Sequence, residues 1–150
     1  MEYRFYGFGN YYLSSLQQGL QSAHCIADMF VKYNKKKAKK EIIYDWAENH
    51  KTMVLLNGGN SLVLEQTHQF LEELKTVGMN LPYQLFYEDE QSLNSALTYV
   101  GVIVPSEIYE LAATLRINTS KVEKKKVKVV EVNDWKTRLA MKLNQFGLAH

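Results

Sequence analysis

Cysteine is nearly absent: Cys25 is the single one in 150 residues. One thiol cannot close an intrachain disulfide, so a reducing, cytoplasmic setting is expected, or the host cytoplasm if the gene is viral. Cys25 precedes Ile26 in an apolar segment and is expected to be a small core residue rather than a nucleophile. Long apolar runs are missing too. None approaches the roughly 18 residues of a membrane span, so no membrane partner is expected. Met1–Asn10 holds no apolar h-region, so no secretory signal is expected. His24, His50, His68 and His150 form no zinc-type pair, and no cysteine pair supports one. Neither a metal nor a cofactor is expected. A Gly-x-Ser-x-Gly elbow and a Cys/His nucleophile pair are also lacking. Net charge is only +2, so no strong field of one sign covers the whole chain.

What is present fits one α/β domain. The chain is 46% hydrophobic and 23% charged, enough for a real core. Tyr3–Phe8 alternates aromatic and polar residues and reads as a strand. Ser14 or Ser15 can cap a helix running to about Tyr33, with Leu13, Leu16, Leu20, Ala23, Ala27 and Phe30 as its apolar face. Lysines 35–40 read as a loop, and Glu41–His50 as a short helix. Met53–Leu56 is a continuous apolar run, as expected of a strand buried on both faces. A helix follows from about Leu62, with Leu64, Phe70, Leu71, Leu74 and Val77 apolar, ended by Gly78. Pro82–Glu88 and Leu97–Pro105 read as strands, and Ser106 caps a helix to about Leu115. Lys121–Val132 alternates charge with valine and suggests a further strand. An amphipathic helix capped by Asn133 or Asp134 closes the pattern. The alternation predicts a three-layer domain around a mixed sheet of four to five strands. Its core spans about 3–117, with a strand-helix extension over about 118–150.

Several stretches can carry chemistry. Gln17, Gln21 and His24 are spaced four and three apart, which stacks them along one side of a helix as a candidate pocket wall. Asn57-Gly58-Gly59 lies between a strand and a helix, where backbone N–H groups can meet a phosphate. It lacks both P-loop and dinucleotide-fingerprint spacing. Glu88 ends a strand, where ligands gather in α/β sheets, and leads into acidic Asp89 and Glu90. Tyr11 and Tyr12 can stack on a base. The lysine runs at 35–40 and 121–128 are candidate phosphate contacts, or guards on an exposed edge.

In order and spacing these motifs resemble the type-2 peptidyl-tRNA hydrolase family, over roughly residues 3–105. That family places Lys-x-x-Ala-Gln-x-x-His-Ala on its first helix, then a buried strand and helix. A strand ending in Asp-Ala-Gly-x-Thr and an apolar strand ending Gly-Pro follow. Here the matching segments are Gln17-x-x-Leu20-Gln21-x-x-His24-Cys25, then Lys51–Asn60, Leu81–Ser92 and Leu97–Pro105. The resemblance implies that fold and a site at Gln21 and His24. The family's helix lysine falls on Gln17 and its strand-end aspartate on Glu88. Glutamine carries no charge, so it cannot replace an ammonium in stabilising developing negative charge.

Three readings follow. The first is a non-catalytic binding protein, expected as a homodimer, that holds a nucleotide-like small molecule or an RNA end. Its ligand-binding residues would be Gln17, Gln21, His24, Tyr11, Tyr12, Asn57, Gly58, Gly59 and Glu88. In size and general character the chain is similar to phage anti-defence proteins that sequester nucleotide immune signals, such as the Thoeris sponges. The second is an active hydrolase of peptidyl-tRNA or a nucleotide, using Glu88 and His24. The third is a protein inhibitor of a host enzyme, contacting it through the lysine-rich C-terminal unit.

Overall fold

The structure is a computed structural model. It describes residues 1–88, 96–122 and 134–149, with side chains throughout except at 118–122. In chain order its elements are β1 (Tyr3–Gly9), α1 (Ser15–Lys32), α2 (Lys37–Asp45) and a π-helical turn (Trp46–His50). Then come β2 (Met53–Asn57), α3 (Ser61–Thr76), β3 (Tyr83–Tyr87), β4 (Leu97–Pro105), α4 (Ser106–Val122) and α5 (Trp135–Leu143). The four strands form one mixed, open sheet in the order β2-β1-β4-β3. β1 runs parallel to β2 and antiparallel to β4, and β3 runs antiparallel to β4. The carboxyl ends of β1, β2 and β3 therefore share one end of the sheet, with the amino ends of α1 and α3.

Alternation along β1 divides the core. Phe5 points to one face and Tyr6 and Phe8 to the other. On the first face α1, α2 and the π-turn bring Cys25, Met29, Tyr33, Ile43 and Trp46 against Phe5, Tyr99 and Ile103. On the second, α3, α4 and α5 bring Leu64, Leu71, Ile108, Leu139 and Leu143 against Phe8, Val100 and Val102. β4 is covered on both faces and buried along its whole length, as its β-branched run requires. Gly7 and Gly101 stand opposite each other in the β1–β4 register. A Cβ on Gly101 would lie 2.5 Å from the Phe5 ring, so this glycine makes room for an aromatic laid across the sheet.

Local chemistry sets the element ends. Ser14 caps α1 through a complete capping box, its hydroxyl accepting from Gln17 N–H while Gln17 Oε1 accepts from Ser14 N–H. Asn60 caps α3 by accepting from the Val63 N–H at 2.9 Å. Gly78, at φ 113°, stops α3 as expected. The segment Gly147–Ala149 lies along β2. Asn57 N–H donates to the Gly147 carbonyl and Ala149 N–H to the Leu55 carbonyl, each at 2.9 Å, around an antiparallel Leu56–Leu148 bridge.

The structure departs from the sequence reading in six places. The buried side of α1 is Gln18, Gln21, Ser22, Cys25 and Met29. Leu16 is 83% exposed and Leu20 52%. Ala23 and Ala27 are exposed with them, and of the predicted face only Leu13 is buried. The cause lies in the sheet: Gly9 leaves a slot that the Gln18 amide fills, and a Cβ there would sit 1.9 Å from Gln18 Oε1. Lys37–Lys40, read as loop, form the first turn of α2, which gives way to the π-turn. β2 is an edge strand rather than one buried on both faces, and Met53 is 39% exposed. Val77 lies beyond α3 and is exposed. α4 continues past Leu115 to Val122, so Lys121 and Val122 are helical. The rest of the expected strand to Val132 lies outside the described residues. Finally, α5 is capped by Asp134 as expected but ends at Leu143, short of the expected stop at Gly147.

Candidate functional site

The strand-end junction predicted to bind ligands brings together four of the expected residues. α1 carries Gln21 inward and His24 outward on adjacent turns, and β3 delivers Glu88. Gln21 is only 5% exposed. Its Nε2 donates to Glu88 Oε2, and its Oε1 lies 3.1 Å from His24 Nδ1. An amide oxygen only accepts, so this contact places the imidazole proton on Nδ1 and leaves Nε2 of a neutral ring as an acceptor. The His24 ring stands 4.8 Å, centroid to centroid, from Phe86. Glu88 N–H donates to the Ala96 carbonyl at 2.9 Å, which fixes the residue at the end of its strand. Burial and then the charge of Glu88 raise the Tyr12 hydroxyl above its ordinary pKa, so Tyr12 stands within electrostatic reach of the cluster. Its ring meets Tyr11 edge to face at 5.9 Å.

The remaining predicted residues are placed differently. The side chain of Gln17 serves the α1 cap rather than meeting Gln21. The N–H groups of the glycine turn are engaged internally. Asn57 donates to Gly147 O, Gly58 to Gly9 O at 2.7 Å, and Gly59 to the Asn57 side chain at 3.1 Å. Gly59 O in turn accepts from Tyr11 N–H at 2.8 Å, so the turn holds the tyrosine pair in place. Asp89 and Glu90 lie outside the described residues.

Sequence reasoning missed Asn10, Gln18 and Phe86. Asn10, fully buried, donates through Nδ2 to Ser61 Oγ at 3.1 Å and Leu97 O at 3.2 Å. Its carbonyl accepts from Gln18 Nε2 at 3.2 Å. These bonds tie the ends of β1, β4, α1 and α3 into one junction. Asn10 Oδ1 and Gln18 Oε1 have no partner among the described residues, an uncommon cost for buried acceptors. The available signal was Gln18 and Gln21 at i and i+3 in register with Cys25.

Among the described residues the cluster holds no lysine or arginine to face a developing anion. Phe5–Ala27 contains no Asp, Glu, Lys or Arg. Among the described residues no group of three or more His, Cys, Asp or Glu could hold a metal ion. A separate cavity of about 300 Å³ opens on the other face of the sheet, between Arg4, Tyr6, Leu56, Tyr109 and Phe146. None of the predicted site residues lines it. The chain matches no family model, and no curated protein matches it.

Proposed function

We propose that this chain binds a nucleotide-type molecule or an RNA end at the Tyr12–Gln21–His24–Glu88 cluster and does not turn it over. The observation that carries this reading is the buried Gln21 amide seated between a carboxylate and an imidazole. A carboxylate bonded directly to histidine can orient it and stabilise its protonated form during acid–base catalysis. A neutral amide between them orients both groups but supplies no charge to an imidazolium. What remains is a fixed pattern of acceptors, His24 Nε2 and the second Glu88 oxygen, beside aromatic Phe86, Tyr11 and Tyr12. Such an edge suits the amino groups of a base, with rings available for stacking.

The element order β1, α1, α2, β2, α3, β3, β4, with the π-turn before β2, supports a type-2 peptidyl-tRNA hydrolase-like fold for this binder. The uncharged Gln17, held in the helix cap, supports loss of the hydrolytic chemistry. Sequestration of a nucleotide immune signal by a phage protein is the setting we favour. A homodimer would use the exposed, charge-free side of α1, where Leu16, Leu20, Ala23 and Ala27 carry no formal charge to repel a second copy.

Mass spectrometry of small molecules co-purifying with the native protein tests the reading. We expect one ligand per chain, released intact on denaturation. Gln21→Ala and His24→Ala should each reduce the ligand recovered at least tenfold. Release of a chemically altered ligand, or turnover of N-acyl-aminoacyl-tRNA that Glu88→Gln abolishes, would replace binding with hydrolysis.

A further inference from the structure

At the far end of β3 from Glu88, three ammonium groups gather on one aromatic ring. Lys32 Nζ lies 5.1 Å, Lys36 Nζ 5.9 Å and Lys39 Nζ 5.4 Å from the Tyr33 ring centroid. Lys32 also stands 4.6 Å from the Tyr83 ring and donates to the Tyr83 carbonyl at 3.2 Å. Tyr33 is itself fixed, buried, with its hydroxyl donating to that carbonyl at 2.8 Å. Lys75, at the end of α3, is close enough to act on Lys32 and Lys39.

Lys36 and Lys39 belong to the 35–40 lysine run, and the fold adds Lys32 from the end of α1 and Lys75 from the end of α3 to them. Among the described residues none of the four forms an ion pair with a carboxylate. Glu72 is the nearby carboxylate acting on Lys32, and its side chain is already engaged by the Tyr83 hydroxyl at 2.7 Å and by His68 at 3.4 Å. Burial first, then the neighbouring lysines, lowers Lys39 from its ordinary pKa, and burial lowers Lys32. The fold thus holds like charges together at a cost, and the aromatic rings offset only part of it.

We propose that Lys32, Lys36, Lys39 and Lys75, standing around Tyr33, form a binding site for closely spaced phosphates. A phosphate chain would bring several negative charges to these ammonium groups, with Tyr33 as a fixed floor. The site is separate from the Gln21 cluster: Lys32 lies eight residues beyond His24 on α1, roughly 12 Å along the axis. It does not depend on what that cluster binds. A free polyphosphate and a nucleic-acid backbone share the required chemistry.

Calorimetric titration with sodium tripolyphosphate, and separately with single-stranded oligothymidylates of increasing length, tests this. We expect saturable tripolyphosphate binding that weakens with salt and falls at least tenfold in Lys36→Gln/Lys39→Gln. Lys36→Arg/Lys39→Arg should retain it. The charge-matched pair Lys124→Gln/Lys126→Gln, in the other lysine run, should leave it unchanged. Oligothymidylate affinity that rises with length assigns the site to a nucleic-acid backbone, and affinity for tripolyphosphate alone assigns it to free phosphate chains. Absence of saturable binding overturns the proposal, as does an equal loss in the control pair. So does unchanged affinity in Lys36→Gln/Lys39→Gln with increased aggregation, which would make the lysines guards of the β3 edge. Should that double variant not fold, Lys39→Gln alone must still weaken binding.

Discussion

Cys25 shows how burial decides the chemistry of a side chain. Fully buried, its Sγ donates to the Gln84 carbonyl, and burial pushes the thiol up to about 12. Native protein at pH 8 should therefore resist an aromatic disulfide reagent, and urea should release one reactive thiol per chain. Rapid reaction in the native state would contradict the packing. His68 and Glu72 make stability depend on pH. Burial, with help from Lys32, holds His68 below its ordinary value of 6.5 against the pull of Glu72. As pH falls below 6.5 the unfolded chain takes up a proton that folded His68 resists, so stability declines toward the folded value. The Tyr83 hydroxyl holds Glu72 below 4.5, and the stability this gives is lost as pH falls through the folded value. Both losses run toward acid. Thermal unfolding from pH 7.5 to 3 should show a falling Tm, with His68→Gln flattening the upper part of the decline and Tyr83→Phe the lower. At this scale the sequence was readable for Cys25, His24, Gln21 and Glu88. It could not reveal Gln18, whose burial depends on Gly9, nine residues away on another element.

Elements were legible where local rules act and obscure where packing overrides them. The caps at Ser14 and Asp134 and the stop at Gly78 are short-range chemistry. Ser14→Ala should cost about 1 kcal/mol, read as a lower urea midpoint at unchanged slope. An unchanged midpoint would mean that the capping box contributes nothing. The face of α1 was misread because leucine spacing alone does not say what a helix packs against. Glycines on β1 and β4 invert the usual pattern by accepting amides and a thiol into the layer between helix and sheet. Gly101→Ala tests that arrangement: its Cβ meets Phe5 at 2.5 Å and Cys25 Sγ at 3.0 Å, so destabilisation of about 1–3 kcal/mol is expected. A neutral result would show that the ring moves freely aside.

At the scale of the whole molecule, the α/β class followed from alternating periodicities, whereas strand order did not, because pairing is set between distant segments. The exposed side of α1 makes the proposed self-association testable. Sedimentation equilibrium should give twice the chain mass, and Leu16→Glu/Leu20→Glu should give a monomer of unchanged Tm. A monomeric wild type would remove the dimer from the proposal. The strip Gly147–Ala149 along β2 has a further consequence. Growth of a fibre by strand addition needs two open flanks on every subunit, so that each arrival offers a new edge. Here one flank is already occupied by the chain's own backbone. Among the described residues β3 forms the other edge, and joining through it would consume that edge of both molecules, so assembly by that route would end at a pair.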